Sequence, residues 1–198
     1  MARTPDVEMK RLLLDQVVAY LATHGLGDMS LRPMAAALST SPNRLVHHFG
    51  SKQDLLTAAL QQATRIQTAV RDGWLKSDPK LTKTAELRQW WKWLNDSPAN
   101  LAITRLGLEA VTREATHAGI IGDVRAEQIS VWREEIEKRL IGEGVPRAAA
   151  VLEASLIKGL FTGLIIDLMA TGDRLRLTRA LELGLRRTEA VIEASQPA

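Results

Sequence analysis

The side chains best suited to chemistry in this sequence are Asn43 and Arg44, which follow Ser41-Pro42 at what reads as the start of a short helix. Arginine can donate two parallel bonds to the O6/N7 edge of guanine, and asparagine can pair with the N6/N7 edge of adenine. Each such contact is worth about 1–3 kcal/mol of discrimination between bases. Around them Ser30, Arg32, His47, His48 and Lys52 are residue types that hold phosphate oxygens, and the N–H groups of a helix starting at Ser51 would add to them. The chemistry indicated is recognition of duplex DNA rather than bond making. Other chemistries are poorly served. There is no cysteine, hence no disulfide, thiolate nucleophile or cysteine zinc site. His47 and His48 are adjacent on a helix, so they point about 100° apart and do not converge on one ion. No Ser-His-Asp arrangement, metal-ligand spacing or Gly-rich phosphate loop is visible, and Glu109 or Asp167 as a general acid would lack a defined partner. No enzyme activity, cofactor or metal is therefore expected.

Positioning Asn43 and Arg44 requires two short helices, and the segment from Met29 to Phe49 carries two helix starts. Ser30 is placed to cap the first, with Pro33 in its first turn, where a missing backbone N–H costs little. Because Pro33 has no donor, the Ser30 side chain is expected to cap the N–H of Arg32. Ser41 is placed to cap the second helix, with Pro42 at the first helical position, already set to helical φ. Met34, Ala35 and Leu38 on one helix and Leu45 and Phe49 on the other supply the apolar faces. Neither helix would be stable alone, so both must pack against a third. The start of the second helix, exposed in such a helix-turn-helix, is the end that enters the major groove.

The whole chain reads at a helical period, with Gly and Pro between segments and no clean alternation of the strand type, which predicts an all-α protein of about nine helices. The first runs from about Asp6 to His24 and stops at Gly25-Leu26-Gly27. A longer one starts at Ser51 as N-cap and runs to about Ser77. Others follow at roughly Thr82 to Asn95, Pro98 to Ala118, Asp123 to Glu143, Pro146 to Thr171 and Leu175 to Ala194. Residues 1–50 form the expected DNA-binding domain and residues 51–198 the remainder, sharing the helix from Ser51. With 198 residues, 45% of them apolar, a real core is affordable. The net charge of +3 leans weakly toward an anionic partner, and residues 1–60 hold six Lys or Arg against five Asp or Glu. DNA contact must therefore come from placement rather than bulk charge. The first twenty residues contain Asp6, Glu8, Lys10, Arg11 and Asp15, so no signal peptide core is present. The longest apolar stretch, Gly159 to Ala170, is broken by Thr162 and Asp167 and reads as too short to span a bilayer. A cytoplasmic protein with no membrane partner is expected.

The string His24-Gly-Leu-Gly-Asp-Met-Ser-Leu-Arg-Pro-Met-Ala-Ala and the following Leu45-Val-His-His-Phe-Gly-Ser-Lys-Gln-Asp-Leu-Leu resemble the DNA-binding domain of the TetR/AcrR family of transcriptional regulators. The resemblance covers about residues 9 to 60; beyond that, only length and helical layout agree. Ser39, Thr40 and Val46 depart from the pattern, standing where the family usually has Gly, a buried Val and a phosphate-contacting Tyr. Met29 also replaces a common Thr. The resemblance implies a repressor that binds operator DNA as a homodimer and leaves it when a small apolar or amphipathic effector binds in the remaining two thirds. It places Trp90, Trp93, Trp132 and Phe161 near a ligand cavity, with Trp74 on a neighbouring helix and Arg105 and Glu109 as polar candidates. These have plainer readings too: an aromatic stripe is commonly core, and Arg105 with Glu109 at i, i+4 is commonly a surface pair.

Leu152, Leu156, Gly159, Gly163, Ile166 and Ala170 recur at spacings of four and three, the pattern of closely packed helices. Leu177, Leu181, Leu185, Thr188 and Ile192 give the last helix a comparable stripe. By resemblance these two helices pair with their symmetry mates as a four-helix dimer interface. The alternative is an intrachain core. The other open functional readings are a helical interaction module without DNA binding and, with no visible catalytic arrangement behind it, a small all-α enzyme.

Overall fold

The computed structural model describes residues 4–27, 29–116 and 124–196. Among them are nine α-helices and no strand: α1 (Thr4–His24), α2 (Leu31–Ala37), α3 (Pro42–Phe49), α4 (Lys52–Ser77), α5 (Lys83–Asp96), α6 (Pro98–Thr116), α7 (Val124–Gly142), α8 (Arg147–Thr171) and α9 (Arg174–Ala194). The all-α expectation is met. The expected end of α6 at Ala118 and start of α7 at Asp123 lie outside the described residues. By its contacts the chain forms two compact units, Met1–Asp72 with Asp96–Ala126, and Gly73–Asn95 with Glu127–Ala198.

In the first unit, α1 lays Leu13, Leu14, Val17, Val18 and Leu21 against Met34 and Ala35 of α2, Leu45 and Phe49 of α3, and Leu55, Leu56, Ala59 and Leu60 of α4. Leu106 and Ala110 of α6 close this core. Spacings of three and four residues in every helix put these side chains on one face. The burial supplies what helices as short as α2 and α3 lack in propagation energy. α1 ends at Gly25, whose φ of 78° a residue with a Cβ rarely adopts. α4 opens on a reciprocal cap: Ser51 Oγ accepts the Asp54 N–H at 3.1 Å, and Asp54 Oδ2 accepts the Ser51 N–H at 2.8 Å.

The second unit packs α5, α7, α8 and α9 around Leu87, Leu94, Ile136, Leu140, Ile157, Phe161, Leu164 and Leu168. α8 and α9 are joined by Glu153, buried on α8, which accepts from Arg187 Nη1 and Thr188 Oγ1, both at 2.7 Å. The close approach of these helices falls at Gly184, where a Cβ would run into the Leu160 side chain. Lys83 is wholly buried, its Nζ 2.9 Å from Glu86 and 3.4 Å from Glu135. Taken as a helix, the apolar run around Gly159 is longer than the sequence reading allowed. α8 has 25 residues and an 18-residue window of mean hydropathy 1.7, enough by length and composition to cross a membrane. Within the unit it is a packing helix, with Ala150, Ala154, Ile157, Phe161, Leu164 and Leu168 buried beside the Glu153 bonds.

Candidate nucleic-acid interface

α3 owes its position to its ends. Ser41 holds an extended backbone, its Oγ accepts the Arg44 N–H at 3.2 Å, and Pro42 is the first helical residue, as the sequence indicates. Leu45 and Phe49 point into the core, so Asn43, Arg44 and His47 are left exposed on the opposite side, with Val46, 44% exposed, at its edge. Arg32, Arg44 and Lys52 are exposed and make no ion pair with the described residues. Exposed guanidinium and ammonium groups without an internal anion stand ready for an external one.

Three expectations need correction. Ser30 is the N-cap residue of α2, in extended conformation, but its side chain makes no capping bond. Pro33 has already removed one donor of that first turn, and the exposed helix start is left to water. His48 is not a solvent-facing phosphate ligand: its side chain is mostly buried, with Nδ1 3.8 Å from the Asp6 carboxylate of α1. A residue one place before the core anchor Phe49 falls on the side that faces α1. Lys10 adds to this junction from above the Phe49 ring, at 5.4 Å. At the start of α4, two of the N–H groups expected to face phosphate are already bonded, those of Ser51 and Asp54. The backbone and hydroxyl bonds from Ser51 hold the Asp54 carboxyl below the usual carboxylate range. Gly50, with φ of 88°, is needed here, since a Cβ would meet Asp54 Oδ2 at 2.7 Å.

The turn between α2 and α3 carries two of the departures from the family pattern. Ser39 has φ of 51°, left-handed without being glycine. The Thr40 hydroxyl is buried and finds no partner among the described residues.

The residues expected around a ligand do not form one group. Four of them are ring-packed in the second unit. Trp90 stacks on Trp93 at 4.7 Å and meets Trp74 edge-on, while Phe161, fully buried, sits between Trp91 at 6.3 Å and Trp132 at 5.7 Å. Arg105 and Glu109 belong to the first unit and are occupied elsewhere. Arg105 Nη2 donates to the Ala22 carbonyl at 2.7 Å, and Glu109 Oε1 accepts the Leu26 N–H at 2.9 Å. They are more than a surface pair: they bond the end of α1 and the turn after it. Nothing in the local sequence signals this, because the partners lie more than eighty residues away.

The two stripes expected to dimerise also differ. On α8, Leu152, Leu156 and Ile166 are exposed, and a Cβ at Gly159 or Gly163 would meet nothing within 4 Å. On α9, Leu177, Leu181, Leu185 and Thr188 are buried in the second unit, and Ile192 is half-buried. The α9 stripe is therefore core, and that helix exposes Leu175 and Leu183 instead.

Compared with solved structures, the chain is similar to a TetR transcriptional regulator from Legionella pneumophila, with a TM-score of 0.76 at 18% identity over 89% of this chain and 94% of that one. The fold is that of TetR-family regulators. A transcriptional regulator from Rhodococcus sp. Rha1 shares the TetR fold at a TM-score of 0.70 and 19% identity, over 96% and 98% of the two chains. The multidrug binding protein EbrR, solved with imidazole, does so at 0.63 and 22%, over 93% of each. No family model and no curated protein matches the sequence.

Proposed function

We propose that this protein is a DNA-binding transcriptional regulator of the TetR/AcrR kind and not an enzyme, acting in the cytoplasm as a homodimer. The observation that carries the reading is the start of α3, where Asn43 and Arg44 stand exposed on a capped helix with no partner for the Arg44 guanidinium among the described residues. In this reading Arg44 bonds a guanine edge and Asn43 an adenine edge, and Ser30, Arg32, Ser41, Pro42, His47 and Lys52 line the approach to the backbone. Two copies place two recognition helices about 34–36 Å apart, one turn of DNA, and read a pseudo-palindrome. The exposed α8 stripe of Leu152, Leu156, Gly159, Gly163 and Ile166 supports the pairing, since an apolar helix face left uncovered by the described residues favours association.

The same reading makes the chain a repressor released by a small apolar or amphipathic effector held in the aromatic second unit, by Trp90, Trp93, Trp132 or Phe161. The likeness to a multidrug binding protein solved with imidazole supports an effector of that size. Release works as a population shift through α4, which continues directly from the recognition helix. The effector loosens operator binding only as far as it prefers the non-binding state, a coupling of about 1–3 kcal/mol.

Selection of duplexes from a random pool tests this. The expected result is enrichment of a two-fold-related sequence whose affinity falls with log[salt] at a slope of about −4, from Arg32 and Lys52 of two copies at ~0.9 per phosphate. Absence of enrichment, with affinity insensitive to salt, supports the interaction-module reading instead.

A further inference from the structure

Three side chains one turn apart on α6 grip the same short stretch of backbone. Arg105 Nη2 donates to the Ala22 carbonyl at 2.7 Å and to that of Thr23 at 3.5 Å. Glu109 Oε1 accepts the Leu26 N–H at 2.9 Å, and Arg113 Nη1 donates to the Gly27 carbonyl at 3.2 Å. Arg113 Nε also lies 3.4 Å from Glu109 Oε1, which orients both. The bonds are charge-assisted, and Arg105 satisfies carbonyls that α1 leaves unbonded at its C-terminus, where a cation is also favoured by the helix dipole. Gly25 sits in the middle of the grip: its φ is 78°, and a Cβ there would come within 3.1 Å of Glu109 Oε2. A tether built from both donors and acceptors fixes orientation more tightly than the apolar contact of Leu106 and Ala110 beneath it, because hydrogen bonds have direction and burial does not.

The place of this grip in the chain gives it a consequence. Of the helices in the first unit, α4 runs on into the second at Asp72–Gly73 and α6 follows from it at Asn95–Asp96, whereas α1, α2 and α3 have no direct chain link to it. The reading head can therefore be held steady only through what it packs on. α3 is joined to α4 by Gly50 and Ser51, and the opposite end of the head is joined to α6 by Arg105, Glu109 and Arg113.

We propose that Arg105, Glu109 and Arg113 are positioning residues for DNA reading: by fixing the α1–α2 turn to α6 they set the spacing between half-sites that a pair of these chains accepts. The inference rests on the DNA-binding reading above. None of the three touches DNA. Breaking the grip lets the head pivot about its α4 joint, so the preferred spacing binds less well and neighbouring spacings are disfavoured less.

The test uses the full chain and its selected duplex, with versions carrying one base pair more or one fewer between the half-sites. Glu109→Ala and Arg105→Met are each expected to shrink the affinity ratio between the best and altered spacings by about fivefold. The penalty for changing the base read by Arg44 should stay as in the unmodified chain. Glu109→Gln, which keeps an acceptor for the Leu26 N–H, should restore most of the spacing ratio. Melting curves accompany each variant, and should Glu109→Ala not fold, Arg105→Met and Glu109→Gln decide. Variants that bind with an unchanged spacing ratio, or lose affinity equally at all spacings, overturn the grip as a positioning device and leave DNA reading intact. An unmodified chain that enriches no duplex overturns the reading itself.

Discussion

At Ser39 the backbone turns left-handed, with φ of 51°, a conformation in which a Cβ costs about 1–2 kcal/mol. Next to it the buried Thr40 hydroxyl bonds nothing among the described residues, and a buried polar group left unmet costs about 1–3 kcal/mol. Both strains lie in the turn that aims α3. Ser39→Gly removes the first at some cost in unfolded-chain entropy, and Thr40→Val removes the second at nearly equal volume. Each change is expected to stabilise by about 1 kcal/mol, raising the thermal midpoint by roughly 2–4 °C for a chain of this size. A calorimetric scan that finds either variant less stable would show that the turn is relaxed. These two positions stood out in the sequence because they broke a pattern. What the sequence withheld was where neighbouring side chains turn, and His48 is the instance. On a helix of eight residues a shift of one place moves a side chain about 100°, from the exposed side to the buried contact with Asp6.

The helices themselves were legible because their signals are local. Ser41-Pro42, Ser51 and Gly25 each act within one turn, and the structure uses all three. Which way a stripe faces is not local. The stripes of α8 and α9 have nearly the same spacing, yet Leu156 is 54% exposed and Leu181 only 1%. Periodicity shows that a helix has an apolar face but not whether its own chain covers it. The two helices should therefore respond differently to substitution. Leu156→Glu is expected to leave the fold intact and convert dimer to monomer, read by sedimentation at micromolar concentration. Leu181→Ala is expected to cost about 2–5 kcal/mol in denaturant titration, as a cavity in a packed interior does. A Leu156→Glu chain that remains dimeric would move the pairing surface off α8. Lys83 teaches the same lesson, since a lysine at a helix start reads as surface and here is buried with Glu86.

For the molecule as a whole, a chain of nearly balanced local charge is read as binding a polyanion because of where a few cations stand. Arg32, Arg44 and Lys52 are exposed and without an ion pair among the described residues, whereas Arg88, Arg133, Arg176 and Arg187 are bound to carboxylates. Composition could not separate these groups, because pairing is a tertiary property. The division of labour follows the two units: the first carries α3 and the grip of α6, the second the aromatic rings and the exposed face of α8. What joins them into a regulator is the claim that α3 reads bases, and Arg44 tests that most directly. The measurement is a duplex selection carried out in parallel on the unmodified chain and on Arg44→Ala, with affinities then determined for all four bases at each enriched position. If Arg44 reads a guanine, the substitution abolishes a preference worth about 1–3 kcal/mol at one position in each half-site and leaves the others in place. An identical base preference in both proteins would contradict it.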